Sequence, residues 1–107
     1  FDGVIYDMRC GPSEDCPPEM HKNIQDAWND LCRGRIDVVA YTRDAIYIIE
    51  VKPHARGEAL GQAMNNAHLY ERERAPDRPV IPAVITDIVI PGTRIVAKAK
   101  GIMLWTP

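Results

Sequence analysis

Two runs rich in Val, Ile and Tyr, Ile36 to Thr42 and Ile46 to Lys52, are separated only by Arg43, Asp44 and Ala45. Runs of this kind form strands, and so short a connection joins antiparallel neighbours, so the centre of the chain reads as a hairpin. The turn sets its register. If Thr42 stands opposite Ala45, Asp37 lies directly across from Glu50, whereas a three-residue loop offsets the two acids. In the first register Asp37, Glu50 and Lys52 share one face, because residues two apart project the same way and opposed β-carbons lie about 4.5 to 5.5 Å apart.

The elements around the hairpin follow from periodicity and punctuation. Phe1 to Met8 mixes β-formers with Asp2, Gly3 and Asp7 and could form a short edge strand, while Gly11, Pro12, Pro17 and Pro18 make Cys10 to Pro18 a loop. As a domain unit, residues 1–17 read as an irregular N-terminal segment. From Pro18 onward Met20, Ile24, Ala27, Trp28, Leu31 and Cys32 recur at helical spacing, and Gly34 is a natural stop. Pro53 is expected to end the second hairpin strand, having no amide hydrogen for the ladder.

Gly57 to Arg74 then places Leu60, Ala63, Met64, Ala67 and Tyr70 on one stripe, as in a crossover helix. Val80 to Ile90 reads as a third strand, and Pro82 suggests an edge or bulge at its start. Pro91, Gly92 and Thr93 turn the chain, with Thr93 a candidate cap for a short helix from Arg94 to Lys100. That helix is expected to bury Ile95, Val96 and Ala99, although its Ile-Val start also suits a strand. Ile102 to Trp105 is a final strand. The order predicts a single α/β domain over residues 1–107, with a mixed sheet flanked by helices.

A chain of 107 residues with 46% apolar and 26% charged residues can bury one modest core. Its net charge of −2 excludes a globally basic protein, so any nucleic-acid surface would have to be local. No stretch approaches the ~20 apolar residues of a membrane span. Three cysteines, Cys10, Cys16 and Cys32, suit a reduced interior, so the expected setting is cytoplasmic or virion-associated, without a membrane. The sequence starts at Phe1, so an upstream signal would be invisible.

Asp37 and Glu50 are the chemically informative pair. Opposed carboxylates repel, and clustering them on two apolar strands costs stability unless a cation offsets their charge. Mg²⁺ or Mn²⁺ suits the arrangement, because a hard divalent ion takes one or two carboxylates, waters and substrate phosphate oxygens. Lys52, one spacer beyond Glu50, could orient an attacking water or neutralise charge developing in the transition state.

The upstream Asp37 followed by Glu50-Val51-Lys52 resembles the PD-(D/E)xK superfamily of restriction-endonuclease-like nucleases. The resemblance covers roughly residues 19 to 106 in element order. It implies a restriction-endonuclease-like mixed β-sheet flanked by helices, an αββαβ core with a further short helix and strand, and a metal-dependent DNA endonuclease. Asp37 and Glu50 would then hold the metal, with the Val51 carbonyl completing its shell and Lys52 assisting catalysis. Gln62 looks like the glutamine that several branches carry on the next helix, although Asn66 stands where RecB-like branches place a tyrosine. Many members add an acid from the first helix, for which Glu19 is better placed than Glu14. The string through Pro53 is also similar to the endonuclease subunit of heteromeric transposases and to small phage or mobile-element domains.

Plainer readings stand beside these. Asp37, Glu50 and Lys52 could form a surface ion-pair cluster without metal. The fold could also serve as a non-catalytic structural or interaction module, in a homo-oligomer, a phage particle or another assembly. Cys10, Cys16, His21 and Cys32 lack the short paired spacing of common zinc sites, so Cys32 reads as core and Cys10 and Cys16 as loop thiols. His54 and Arg56 are candidates for substrate contact, whereas His21, His68 and the mixed charges from Glu71 to Arg74 read as solvated surface. Trp28 and Trp105 read as core, and Tyr41 and Tyr47 should lie on opposite faces of the hairpin with at least one exposed.

Overall fold

The computed structural model describes residues 2–11 and 34–107. Along them run β1 (Gly3–Cys10), β2 (Gly34–Tyr41), β3 (Ile46–Ala55), α1 (Gly57–Arg74), β4 (Val80–Val89), α2 (Pro91–Ala99) and β5 (Met103–Trp105). The strands form one five-stranded mixed sheet in the order β1-β2-β3-β4-β5. β1, β2 and β3 are antiparallel neighbours, while β3, β4 and β5 run parallel, each parallel step bridged by a helix. The expected helix from Pro18 to Cys32 lies outside the described residues, as do Glu14, Cys16, Glu19, His21 and Trp28.

The hairpin has the register that aligns the acids. Val38 pairs with Ile49 and Tyr41 with Ile46, and the turn closes on Thr42 and Ala45. The Thr42 amide donates to the Ala45 carbonyl at 2.9 Å, and the Thr42 hydroxyl lies 3.0 Å from both the Ala45 amide and carbonyl. Only Arg43 and Asp44 remain in the loop. Val39, Ile46 and Ile48 face α1, where they pack with Ala67 and Tyr70. Ala40, Ile49 and Ala83 form the buried centre of the opposite face, beside Val38, Tyr47, Ile85 and Trp105. Tyr41 and Tyr47 thus lie on opposite faces as expected. Neither is exposed, because Tyr41 packs under α1 with its hydroxyl 3.1 Å from that of Tyr70, and Tyr47 lies 5.5 Å from Trp105, ring centre to ring centre.

Several boundaries differ from the sequence reading. β1 is the edge strand expected near the N-terminus, but it runs on to Cys10, which is buried at 1% exposure rather than being a loop thiol. β3 continues past Pro53 to Ala55: the ladder to β4 skips Pro53 and resumes at His54 and Ile88, while the Thr86 hydroxyl lies 3.1 Å from the Pro53 carbonyl. A missing amide hydrogen removes one bond, and the neighbouring pairs carry the strand across it. Pro82 does lie at a local edge, one residue before β5 begins pairing at Ala83.

α1 has the expected bounds and buries Ala59, Leu60, Ala63, Ala67 and Tyr70, whereas Met64 is 41% exposed. It ends on Ala75, whose φ of 42° and ψ of 55° are left-handed, a conformation in which a β-carbon crowds the backbone. Ala75→Gly should therefore stabilise the domain by about 1 kcal/mol, read as a higher urea midpoint at unchanged slope. A lower midpoint would show that the alanine methyl group contributes more than its strain costs.

α2 begins at Pro91, a residue suited to the first helical turn, with Ile90 as its N-cap. Thr93 is therefore not the cap but a buried residue of that turn. Inward positions go to Thr93 and Ala97, so Ile95 is 73% exposed, Val96 47%, and Ala99 also faces solvent, contrary to their expected burial. Thr93 and Ala97, four residues apart, form the inward stripe, and Ile95, Val96 and Ala99 fall outside it. Ala97 joins Ala59, Leu60, Ala63, Val84 and Ile102 in one cluster, which places α1 and α2 on the same sheet face. No helix among the described residues is long and apolar enough to cross a membrane.

Candidate functional site

Asp37 and Glu50 are brought together where β2 and β3 leave their ladder beneath α1. That ladder ends with the pair Val38 and Ile49, and the next step sets Asp37 beside Glu50. Asp37 also reaches across the gap, its Oδ2 accepting the Val51 amide at 3.0 Å. The Val51 side chain, 48% exposed, projects away from the acids. Glu50 is 4% exposed, and its Oε1 accepts from Asn66 Nδ2 at 2.9 Å.

The same Asn66 nitrogen donates to the Arg35 carbonyl at 3.2 Å, so one buried amide ties α1 to both strands. Asn66 therefore has a defined task, holding Glu50 in place. Its signal was present in the sequence: Asn66 follows Gln62 by four residues and must share a helix face with it. Burial, followed by the charge of Asp37, raises the Glu50 pKa above its ordinary value; the Asn66 hydrogen bond and the Lys52 charge oppose that rise.

Arg35, Asp37, Glu50, Lys52, Gln62, Asn65 and Asn66 line one open hollow of about 360 Å³. All four residues read as catalytic from the sequence are among them. Gln62 Oε1 is buried there without a hydrogen-bond partner in the structure, leaving an acceptor oxygen beside two carboxylates. Arg35 was missed, although its position two residues before Asp37 places it on the same strand face. Its Nη2 lies 3.4 Å from Asp37 Oδ1 and its Nε 3.9 Å from Asp7 Oδ1. Asp7, set by the register opposite Asp37, has a φ of 54° and drops out of the β1–β2 ladder.

Other candidates lie apart from this hollow. His54 and Arg56 are exposed beyond it, and Arg56 lines a second hollow between α1 and α2 while its carbonyl accepts the Ala59 amide in the first turn of α1. Glu19 lies outside the described residues. Among those described, no group of three or more His, Cys, Asp or Glu side chains converges on one point. The acid pair lines an open hollow.

Fold and cluster together define an α/β domain in which paired carboxylates sit between a mixed sheet and α1, the longer of the two described helices. Compared with protein-family models, curated proteins and solved structures, the chain matches none.

Proposed function

We propose that the domain is a metal-dependent DNA endonuclease of the PD-(D/E)xK type, with Mg²⁺ or Mn²⁺ held between Asp37 and Glu50. The observation that carries this reading is the buried Glu50 carboxylate beside Asp37, in a hollow that also holds Lys52 and the unpartnered Gln62 oxygen. Such a donor set suits a hard cation: two carboxylates and a neutral oxygen, with the Val51 carbonyl adjacent, and room for water and phosphate. When bound, the ion would polarise the scissile phosphate and make a water nucleophilic near neutral pH.

The chain's own residues would prepare that reaction. Asn66 fixes the Glu50 carboxylate, and the Val51 amide fixes Asp37, so neither acid needs to reorganise before substrate arrives. The Lys52 ammonium lies where it can orient the attacking water or neutralise charge growing on phosphate. Arg35, more than half exposed on the rim, can contact an adjacent phosphate. Purified protein should nick or cut DNA with Mg²⁺ or Mn²⁺ and stop when a chelator is added.

A second reading draws on the Arg35–Asp37 contact: a surface ion-pair cluster on a non-catalytic interaction domain. It requires no divalent-ion binding at millimolar concentration by calorimetry and no cleavage of DNA under the same conditions. Cleavage by the isolated protein excludes it.

A further inference from the structure

One outward-facing apolar residue of α2, Val96, does not lie on bare surface. Val96 joins Leu60, Met64 and Ile90 in the open hollow of about 760 Å³ between α1 and α2, which Arg56 and Lys100 also line. Met64 and Ile90 are each 41% exposed, so the floor is apolar and accessible. Arg94 and Lys98, exposed on the same nine-residue helix, line a separate hollow on its other flank with Met103 and Leu104. From Ile88 to Pro107 the chain has no Asp or Glu. Glu58 and Asp87 flank the region in sequence but do not line the hollow. Among the described residues, no ion pair engages the two cations that line the hollow, Arg56 and Lys100. In a chain of net charge −2, this is a local concentration of positive charge.

The combination selects among occupants. Adjacent exposed apolar side chains rimmed by polar groups mark interaction surfaces. A nucleic-acid backbone would satisfy the cations but leave Leu60, Met64, Ile90 and Val96 with no apolar partner. A second copy presenting the same face would set cation against cation, since a two-fold contact repeats the same patch on both sides. An amphipathic helix satisfies both features, with apolar residues on the floor and carboxylates at the rim. A nine-residue helix is about 13 Å long, enough to line two turns or more of such a ligand.

We propose that the α1–α2 hollow docks an acidic amphipathic helix of a partner protein. The proposal stands independently of the acid pair, because Asp37 and Glu50 line a different hollow.

The test uses the full chain and a fluorescein-labelled helical peptide with leucines at alternating three- and four-residue spacing and glutamates elsewhere, compared with its lysine counterpart. The glutamate peptide should bind with micromolar affinity, shift the NMR resonances of Leu60, Met64 and Val96, and weaken at least about tenfold with Val96→Glu or with Arg56→Glu plus Lys100→Glu. Both sets of substitutions are at exposed positions, and Asp37→Asn should leave binding unchanged. Equal affinity for the lysine peptide, or indifference to both sets, overturns the proposal. So does displacement of the peptide by a short DNA duplex whose own binding fails in the same variants, which would assign the surface to nucleic acid. A concentration-dependent dimer abolished by Val96→Glu would assign it to a second copy and overturn the proposal as well.

Discussion

Asp37→Asn should reduce Mg²⁺-dependent DNA cleavage by roughly 10²- to 10³-fold or more, the scale on which a group acting on the transition state is lost. The fold should survive. Asparagine is nearly isosteric, and its side-chain oxygen can still accept the Val51 amide that Asp37 Oδ2 holds at 3.0 Å. Lys52→Ala should cause a comparable loss, and a thermal unfolding scan of each variant checks that the protein remains folded. Cleavage at the original rate in either variant would remove the nuclease assignment, whatever the fold.

Glu50→Gln should have opposite effects on activity and stability: cleavage is lost while the unfolding temperature at neutral pH rises. The cause is the raised pKa of Glu50, set first by burial and then by Asp37. Above the ordinary carboxylate value near 4.5, the folded state retains a proton that the unfolded chain has released. Stability therefore falls as pH rises through the window between the ordinary and raised values, and remains lower above it. Glutamine has no proton to lose, can accept from Asn66 with its oxygen and can donate toward Asp37. The variant should unfold a few degrees higher at pH 7, the scale on which ~1 kcal/mol moves a domain of this size, and its stability should vary less with pH above 4.5.

The same variant tests the metal. Millimolar Mg²⁺ or Mn²⁺ should raise the unfolding temperature of the parent protein by mass action and leave Glu50→Gln unmoved. An unchanged parent midpoint with both ions would count against a cation between the two acids. Stabilisation of parent and variant alike would place the ion elsewhere.

The centre of this fold was legible because its signals are local. Val, Ile and Tyr runs with a minimal turn specified β2 and β3, and the period of two put Asp37, Glu50 and Lys52 on one face. The stripe from Leu60 to Tyr70 specified α1, which brought Gln62 over the acids. What escaped depends on contacts between distant elements. Nothing local tells that Pro53 can be spanned by pairs on either side of it, or that Cys10 ends a strand packed into the core. In α2, the way the helix lies on the sheet turns the small Thr93 and Ala97 inward and leaves Ile95 and Val96 exposed, which hydropathy alone does not reveal. The role of Asn66 escaped for the same reason, because its partners, the Arg35 carbonyl and Glu50, lie on two other elements.

The turn at Arg43 and Asp44 carries a constraint of another kind. Both side chains are exposed and neither lies in the hollow with the acids, so their identities are open to replacement. Their number is not. One added residue would have to be taken up as a bulge, or β2 would slide by one place against β3 and Asp37 would no longer meet Glu50. Homologous chains that keep this site should therefore vary freely in the letters of the turn and be nearly invariant in its length, a pattern of gaps rather than substitutions.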